Sequence, residues 1–194
     1  MTQITRDSAY WFREWASFKS GDMGSFQRIY DHFFDRMYQY GCKLTADTEL
    51  VEDSIQELFL ALYTQKAQLS DTDHLGFYLL KALKLTLYGK MRKEKQIFRK
   101  QNDDGFRLQF VVETDESETI EQEKIDLILR SLEELSPQAR EIIYLKFYGD
   151  LSYQEIGEML GMKPDSAKKQ VYRTVSSLRL MLKDTTPYLL VIVC

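Results

Sequence analysis

At 194 residues, 44% of them hydrophobic and with 12 Tyr and 11 Phe, the chain has room for one large or two small domains and too much apolar surface for a disordered polypeptide. Glycine (nine) and proline (three) are scarce, long amphipathic stretches dominate, and the expected fold class is all-α. The net charge of −4 speaks against a uniformly polyanion-binding surface, no apolar run approaches the ~20 residues of a bilayer span, and no signal-peptide pattern opens the chain, so a cytoplasmic protein without membrane insertion is expected.

Ser8 to Lys19, with Tyr10, Trp11, Phe12, Trp15 and Phe18, is expected to be helical. Asp22 is placed to cap a helix from Met23 to about Leu44 that runs through Gly41 and buries Phe26, Ile29, Tyr30, Phe33 and Met37. Asp47 caps a third helix, Thr48 to Lys66, with Val51, Ile55, Leu58, Phe59 and Leu62 inside. Glu52, Asp53, Gln56 and Glu57 fall on or near its outer face. After a loop at Ser70–His74, a fourth helix runs from Leu75 to about Arg99, apolar at Leu79, Leu80, Leu83, Leu87 and Met91.

Charge is laid down in blocks. Lys81, Lys84, Lys90, Arg92, Lys93, Lys95, Arg99 and Lys100 are opposed by Glu94 alone, and then acidic residues dominate from Asp103 to Glu123. The sign turns positive again from Lys163 to Lys183. A basic stripe of this kind is the footprint of a polyanion partner, whatever the total charge. Through the acidic block no helical stripe runs, although Phe106–Val112 could be extended locally. This divides the chain into a first helical domain at 1–100, an acidic linker at 101–119, a second helical domain at 120–184 and an apolar tail at 185–194.

In the second domain a helix from Ile120 buries Ile125, Ile128, Leu132 and Leu135. Ser136-Pro137 starts another, with Ile142, Ile143, Leu145 and Phe147 inside and Gly149 closing it. Ser152 and Glu155 then have capping-box spacing for a short helix from Tyr153, with Ile156, Met159 and Leu160 buried and Gly161 as the left-handed stop. Pro164 opens a last helix that faces Ala167, Val171, Val175 and Leu178 inward and carries Lys168, Lys169, Gln170, Tyr172 and Arg173 outward. Two helices in this relation form a helix-turn-helix, whose second helix enters the major groove of DNA. Two ordinary core helices with a solvated basic face is the competing reading of this segment taken alone.

Gly21-Asp22 with Phe26 and Tyr30, followed by Val51-Glu-Asp-Ser-Ile-Gln-Glu-Leu-Phe59, resembles region two of the extracytoplasmic-function (ECF) group of bacterial RNA polymerase sigma factors, whose hallmark is an E-D-x-x-Q-E-x-F helix. Leu135-Ser-Pro-Gln-Ala-Arg-Glu141, Phe147-Tyr-Gly149 and Leu151-Ser-Tyr-Gln-Glu-Ile156 resemble region four. The likeness runs from about Gly21 to Lys183 and implies a promoter-specificity subunit, not an enzyme. Its partners would be RNA polymerase core and promoter DNA, with an anti-sigma factor as a further candidate. No metal, cofactor or catalytic residue is expected, since His32 and His74 are isolated and no phosphate loop or nucleophile elbow occurs.

The resemblance assigns polymerase-core binding to Glu52, Asp53, Gln56 and Glu57. It assigns the downstream promoter element to Phe77, Tyr78, Lys81, Lys84, Lys90, Arg92 and Lys93, and the upstream element to Ser166, Lys168, Lys169, Gln170, Tyr172 and Arg173. The chain departs from the family pattern at Leu85, where Asn is usual, and at Gly89, where Asp is common; Tyr63 and Tyr78 stand where Trp is frequent. Two competing functions fit parts of the sequence. One is a helix-turn-helix regulator that works without polymerase core, and the other is a sigma-like protein-interaction switch.

Overall fold

Short-range capping chemistry decides where the helices of this protein begin. The computed structural model describes residues 3–98, 106–107 and 130–182. The chain divides into two units, Met1–Asp103 and Asp104–Cys194. The described residues are helical or in turns, with no strand among them.

In the first unit, α1 (Gln3–Lys19), α2 (Met23–Leu44), α3 (Thr48–Gln65) and α4 (Leu75–Phe98) follow one another, with a single 3₁₀ turn, Lys66–Gln68, after α3. The Asp22 carboxylate caps α2 by accepting the Gly24 N–H at 3.0 Å, the Ser25 N–H at 3.2 Å and the Ser25 hydroxyl at 2.7 Å. These bonds stabilise its charged form, the Ser25 hydroxyl most, and hold its pKa below the ordinary value. Asp47 does the same for α3, accepting the Leu50 N–H at 2.9 Å.

Helix α1 packs on α2 and α4, and α2, α3 and α4 pack on one another. Their shared core holds Trp15, Phe18, Ile29, Phe33, Met37, Val51, Ile55, Leu58, Phe59, Leu62, Leu79, Leu80, Leu83 and Leu87. Each such side chain contributes roughly 1.5–3 kcal/mol when fully buried. The aromatic run of α1 divides as a helix requires: Trp15 and Phe18 are inside, whereas Tyr10 and Phe12 are exposed. Trp15 also donates its indole N–H to the Ser70 carbonyl at 3.0 Å, fixing the loop ahead of α4. Because Leu79, Leu80, Leu83 and Leu87 occupy one side of α4, the opposite side, at Leu85, Tyr88, Gly89, Arg92 and Lys93, is left to solvent.

The second unit contains a helical turn at residues 130–133, α5 (Pro137–Ile143), a π-helical turn (Tyr144–Tyr148), α6 (Tyr153–Leu160) and α7 (Pro164–Leu182). Ser136 caps α5 by accepting the Ala139 N–H at 3.2 Å. Helices α5 and α6 both pack on α7, around Leu132, Ile142, Ile143, Leu145, Ile156, Met159, Ala167, Val171 and Leu178. Phe147, Leu160 and Val175 are half-buried rather than fully inside.

Gly149 closes the π turn as expected. Gly149 keeps a right-handed φ of −69°, and the left-handed residue is Asp150, with φ of 48°. The chain winds from α5 into the wider π turn, whose Tyr144 carbonyl accepts the Gly149 N–H at 2.8 Å. The reversal is thereby carried one residue further, to an Asp, a type that tolerates this region.

Of the residues read as acidic linker, Phe106 and Arg107 are described, and Phe106 is buried with its ring 5.6 Å from that of Tyr144 in the second unit. The rest of the linker, the helix expected from Ile120 with Ile125 and Ile128, the cations Arg99, Lys100 and Lys183, and the tail at 185–194 lie outside the described residues.

Candidate nucleic-acid interface

The turn between α6 and α7 is built by four local features. Ser152 and Glu155 form a complete capping box: the Ser152 Oγ accepts the Glu155 N–H at 3.2 Å, and the Glu155 carboxylate accepts the Ser152 N–H at 2.8 Å. Gly161 ends α6 with φ of 66°, a region open to glycine without penalty. Gly157 lets the turn fold back onto the helix, since a Cβ there would stand 2.6 Å from the Met162 carbonyl oxygen. Pro164 then opens α7, and Lys163 accepts the Ser166 and Ala167 N–H groups through its backbone carbonyl at 2.9 and 3.0 Å.

Anchored by Ala167, Val171, Thr174 and Leu178, α7 presents two flanks. Ser166, Lys169, Gln170 and Arg173 line an open groove of about 510 Å³, together with Ser177, Thr174 and Leu135. Gln170 is half-buried there, and the other three are exposed. Lys168 and Tyr172 lie exposed on the other flank. Tyr172 meets Tyr153 of α6 by a hydroxyl hydrogen bond; burial first, then this neighbour, raises the Tyr153 pKa. The Lys146 ammonium sits 5.1 Å from the centre of the Tyr153 ring and donates to the Leu151 carbonyl at 3.0 Å. Tyr153 and Lys146, which the sequence reading did not single out, thus brace this flank. A tyrosine at the first position of α6 was the available signal.

On α4 the basic residues and aromatics interleave at one-turn spacing. Lys81 lies 5.7 Å from the Phe77 ring centre and Lys84 lies 5.5 Å from that of Tyr88, both within cation–π reach. Arg92 and Lys93 are exposed beyond them. Tyr78 stands apart, half-buried with its ring 5.5 Å from Trp15, and burial raises its pKa. Lys90 is bound to the neighbouring helix: its ammonium is 2.8 Å from the Glu57 carboxylate of α3. That hydrogen bond first, and the Lys90 charge second, lower the Glu57 pKa.

All four of Glu52, Asp53, Gln56 and Glu57 are exposed on α3, a contiguous acidic strip opposite Val51, Ser54, Ile55 and Leu58. The strip and the basic face of α4 are therefore neighbouring surfaces of one unit, joined through Glu57 and Lys90.

The family model for sigma-70, region 4, matches residues 125–178, which hold the helix-turn-helix. The ECF RNA polymerase sigma factor SigW of Bacillus subtilis is 24% identical over 174 residues, covering 86% of this chain and 93% of the relative. The chain resembles ECF sigma factors over most of its length. The ECF sigma factor SigL of Mycobacterium tuberculosis is 27% identical to this chain over 165 residues, 80% of this chain and 88% of its own. The fold of this chain is similar to that of the sigma factor RpoE solved in complex with the anti-sigma factor NepR from Bartonella quintana, with a TM-score of 0.56 at 19% identity, over 82% of this chain and 97% of that one. Among the described residues no helix is long and apolar enough to cross a membrane.

Proposed function

We propose that this chain is a sigma factor that directs RNA polymerase core to promoters through three surfaces. The α3 strip of Glu52, Asp53, Gln56 and Glu57 holds the polymerase, its carboxylates pairing with cations of the partner and setting orientation and on-rate. The exposed face of α4 holds the downstream element as it opens, with Lys81, Lys84, Arg92 and Lys93 on phosphates and Lys90 joining them when it leaves Glu57. Phe77 is the aromatic beside them that can stack on a base. Tyr78 is the weakest member of this set because its ring is engaged by Trp15.

Helix α7 reads the upstream element in the major groove. Gln170 and Lys169 are the base readers, Gln favouring adenine and Lys favouring guanine, while Arg173, Lys168, Ser166 and Tyr172 hold the backbone. The observation that carries the reading is the capped α6–turn–α7 pair with its polar flank turned to solvent, in a chain that matches ECF sigma factors over most of their length. The work takes place in the cytoplasm, where the promoter lies, and an anti-sigma factor is a further partner we propose.

Reconstitution of the purified chain with polymerase core, followed by genome-wide mapping of start sites, tests the function. Initiation at a defined set of sites sharing an upstream and a downstream element is expected. Core that gains no promoter choice from the chain would overturn the proposal, and DNA binding without core association would favour the regulator.

A further inference from the structure

Tyr153 and Tyr172 share a hydrogen bond between their hydroxyls, and the two residues are held very differently. Tyr153 stands at the first position of α6, where the capping box of Ser152 and Glu155 fixes the backbone. Its ring is half-buried, with the Lys146 ammonium 5.1 Å from the ring centre, and that ammonium is itself bonded to the Leu151 carbonyl at 3.0 Å. The π turn closes the same corner, since the Leu151 N–H donates to the Leu145 carbonyl at 3.0 Å. Tyr153 is therefore a fixed post. Tyr172 is 60% exposed on α7, and a ring so exposed samples more than one rotamer unless something catches it.

The bond is not needed to hold α6 against α7. Ile156, Met159, Ala167 and Val171 already pack these helices through the core, and one hydrogen bond at an open surface adds little to that. What the bond does is select one direction for the Tyr172 ring. It also sets the direction of the proton. Burial first, and then Tyr172, raise the Tyr153 pKa, so Tyr153 keeps its proton and donates it. Tyr172 accepts through a lone pair and keeps its own O–H for another acceptor. A hydroxyl that accepts one bond is polarised and donates the next more strongly. This donor lies one helical turn from Lys168 on the same exposed flank, and a cation followed by a neutral donor suits the oxygens of a phosphate backbone.

We propose that Tyr153 is a positioning residue for promoter binding: through its hydroxyl it holds Tyr172 in place to donate to a phosphate of the upstream element, and it touches no DNA itself. The proposal rests on the assignment of α7 to the upstream element. It gives Tyr153 a share of the affinity and no share of the base choice.

The test uses holoenzyme reconstituted from the full chain and polymerase core. Its probes are a duplex carrying the upstream element of a mapped start site, the single-base variants of that duplex, and a scrambled duplex. Affinity is measured over a range of potassium chloride concentrations. Tyr153→Phe should weaken binding about two- to tenfold, the factor expected when a side chain is ordered during binding rather than before it. Tyr172→Phe should weaken it at least as much, and the double variant no more than Tyr172→Phe, because Tyr153 acts only through its partner. The salt slope should stay at the wild-type value, since a neutral hydroxyl releases no counterion, and each base substitution should cost the variants what it costs the wild type. The melting temperature of the free chain should shift by no more than about 4 °C, the range of a surface change. A Tyr153→Phe variant that binds like wild type would overturn the proposal, as would a double variant weaker by both factors multiplied. So would a larger fall in melting temperature, which a merely structural role predicts. A wild type that binds the element no better than the scrambled duplex removes the α7 assignment and the bridge together, whereas a wild type that prefers the element, with variants that fail the coupling, removes the bridge alone.

Discussion

Replacing Gly157 by alanine probes whether the helix-turn-helix geometry is set where α6 meets its turn. In an open helix this change would stabilise by about 1 kcal/mol, because alanine is the better helix former. Here the new methyl carbon would stand 2.6 Å from the Met162 carbonyl oxygen and 3.3 Å from the Pro164 nitrogen, both backbone atoms that cannot rotate away. The turn must open, and overpacking of this kind costs typically ~1–3 kcal/mol. The two effects leave a net destabilisation of about 1 kcal/mol, which lowers the melting temperature of a unit this size by roughly 4–8 °C. Since Pro164 begins α7, the same displacement tilts the helix that carries Lys169 and Gln170. Promoter-dependent transcription should therefore fall further than the loss of folded protein at the assay temperature explains. Thermal unfolding by circular dichroism and run-off transcription with core, on the same preparations, check the pair of outcomes. A variant that melts higher than wild type and keeps its promoter choice would refute the close-approach argument.

Further outcomes follow from the other surfaces. Reversing charge at Asp53 and Glu57 together should abolish co-purification with core while the helical spectrum and melting temperature stay near wild type, since both side chains are exposed. Gln170→Ala should relax base choice at one or two upstream positions, a bidentate contact being worth ~1–3 kcal/mol of discrimination, as read by binding to a library of promoter variants. Lys93→Ala should instead weaken binding to all sequences and lower the salt slope by about one, which a titration against potassium chloride measures. Asp22 has a depressed pKa, so its stabilisation is fully present above the ordinary aspartate value and is lost as pH falls through the lower folded-state value. Asp22→Asn should therefore differ from wild type at neutral pH and converge with it on strong acidification, as followed by melting temperature against pH.

The parts of the fold that the sequence disclosed are those set by neighbours in the chain. Asp22, Asp47 and Ser152 act on N–H groups two or three residues away, so their spacing suffices to place helix starts. The buried stripes of α3 and α4 follow from helical period alone. Features that depend on distant backbone were hidden. Gly157 looks like any helical glycine until the Met162 carbonyl is found beside it, and the left-handed residue after the π turn, Asp150, carried no mark in the sequence. In the candidate site, the exposure of Glu52, Asp53, Gln56 and Glu57 was legible from periodicity. The engagement of Tyr78 by Trp15 and of Lys90 by Glu57 was not, because each partner comes from another helix.

The ion pair between Glu57 and Lys90 also has a consequence for the salts around the protein. A lysine that neutralises a DNA phosphate sets free a condensed cation, and the number set free determines how steeply binding falls with salt. While Lys90 rests 2.8 Å from Glu57, its charge is already spoken for, and the chain meets DNA with one effective cation fewer. A polymerase that takes Glu57 for itself returns that charge to α4. The logarithmic salt slope for DNA should then steepen by about 0.7 for a single strand or 0.9 for a duplex, so the ionic-strength dependence at one face reports whether the other is occupied.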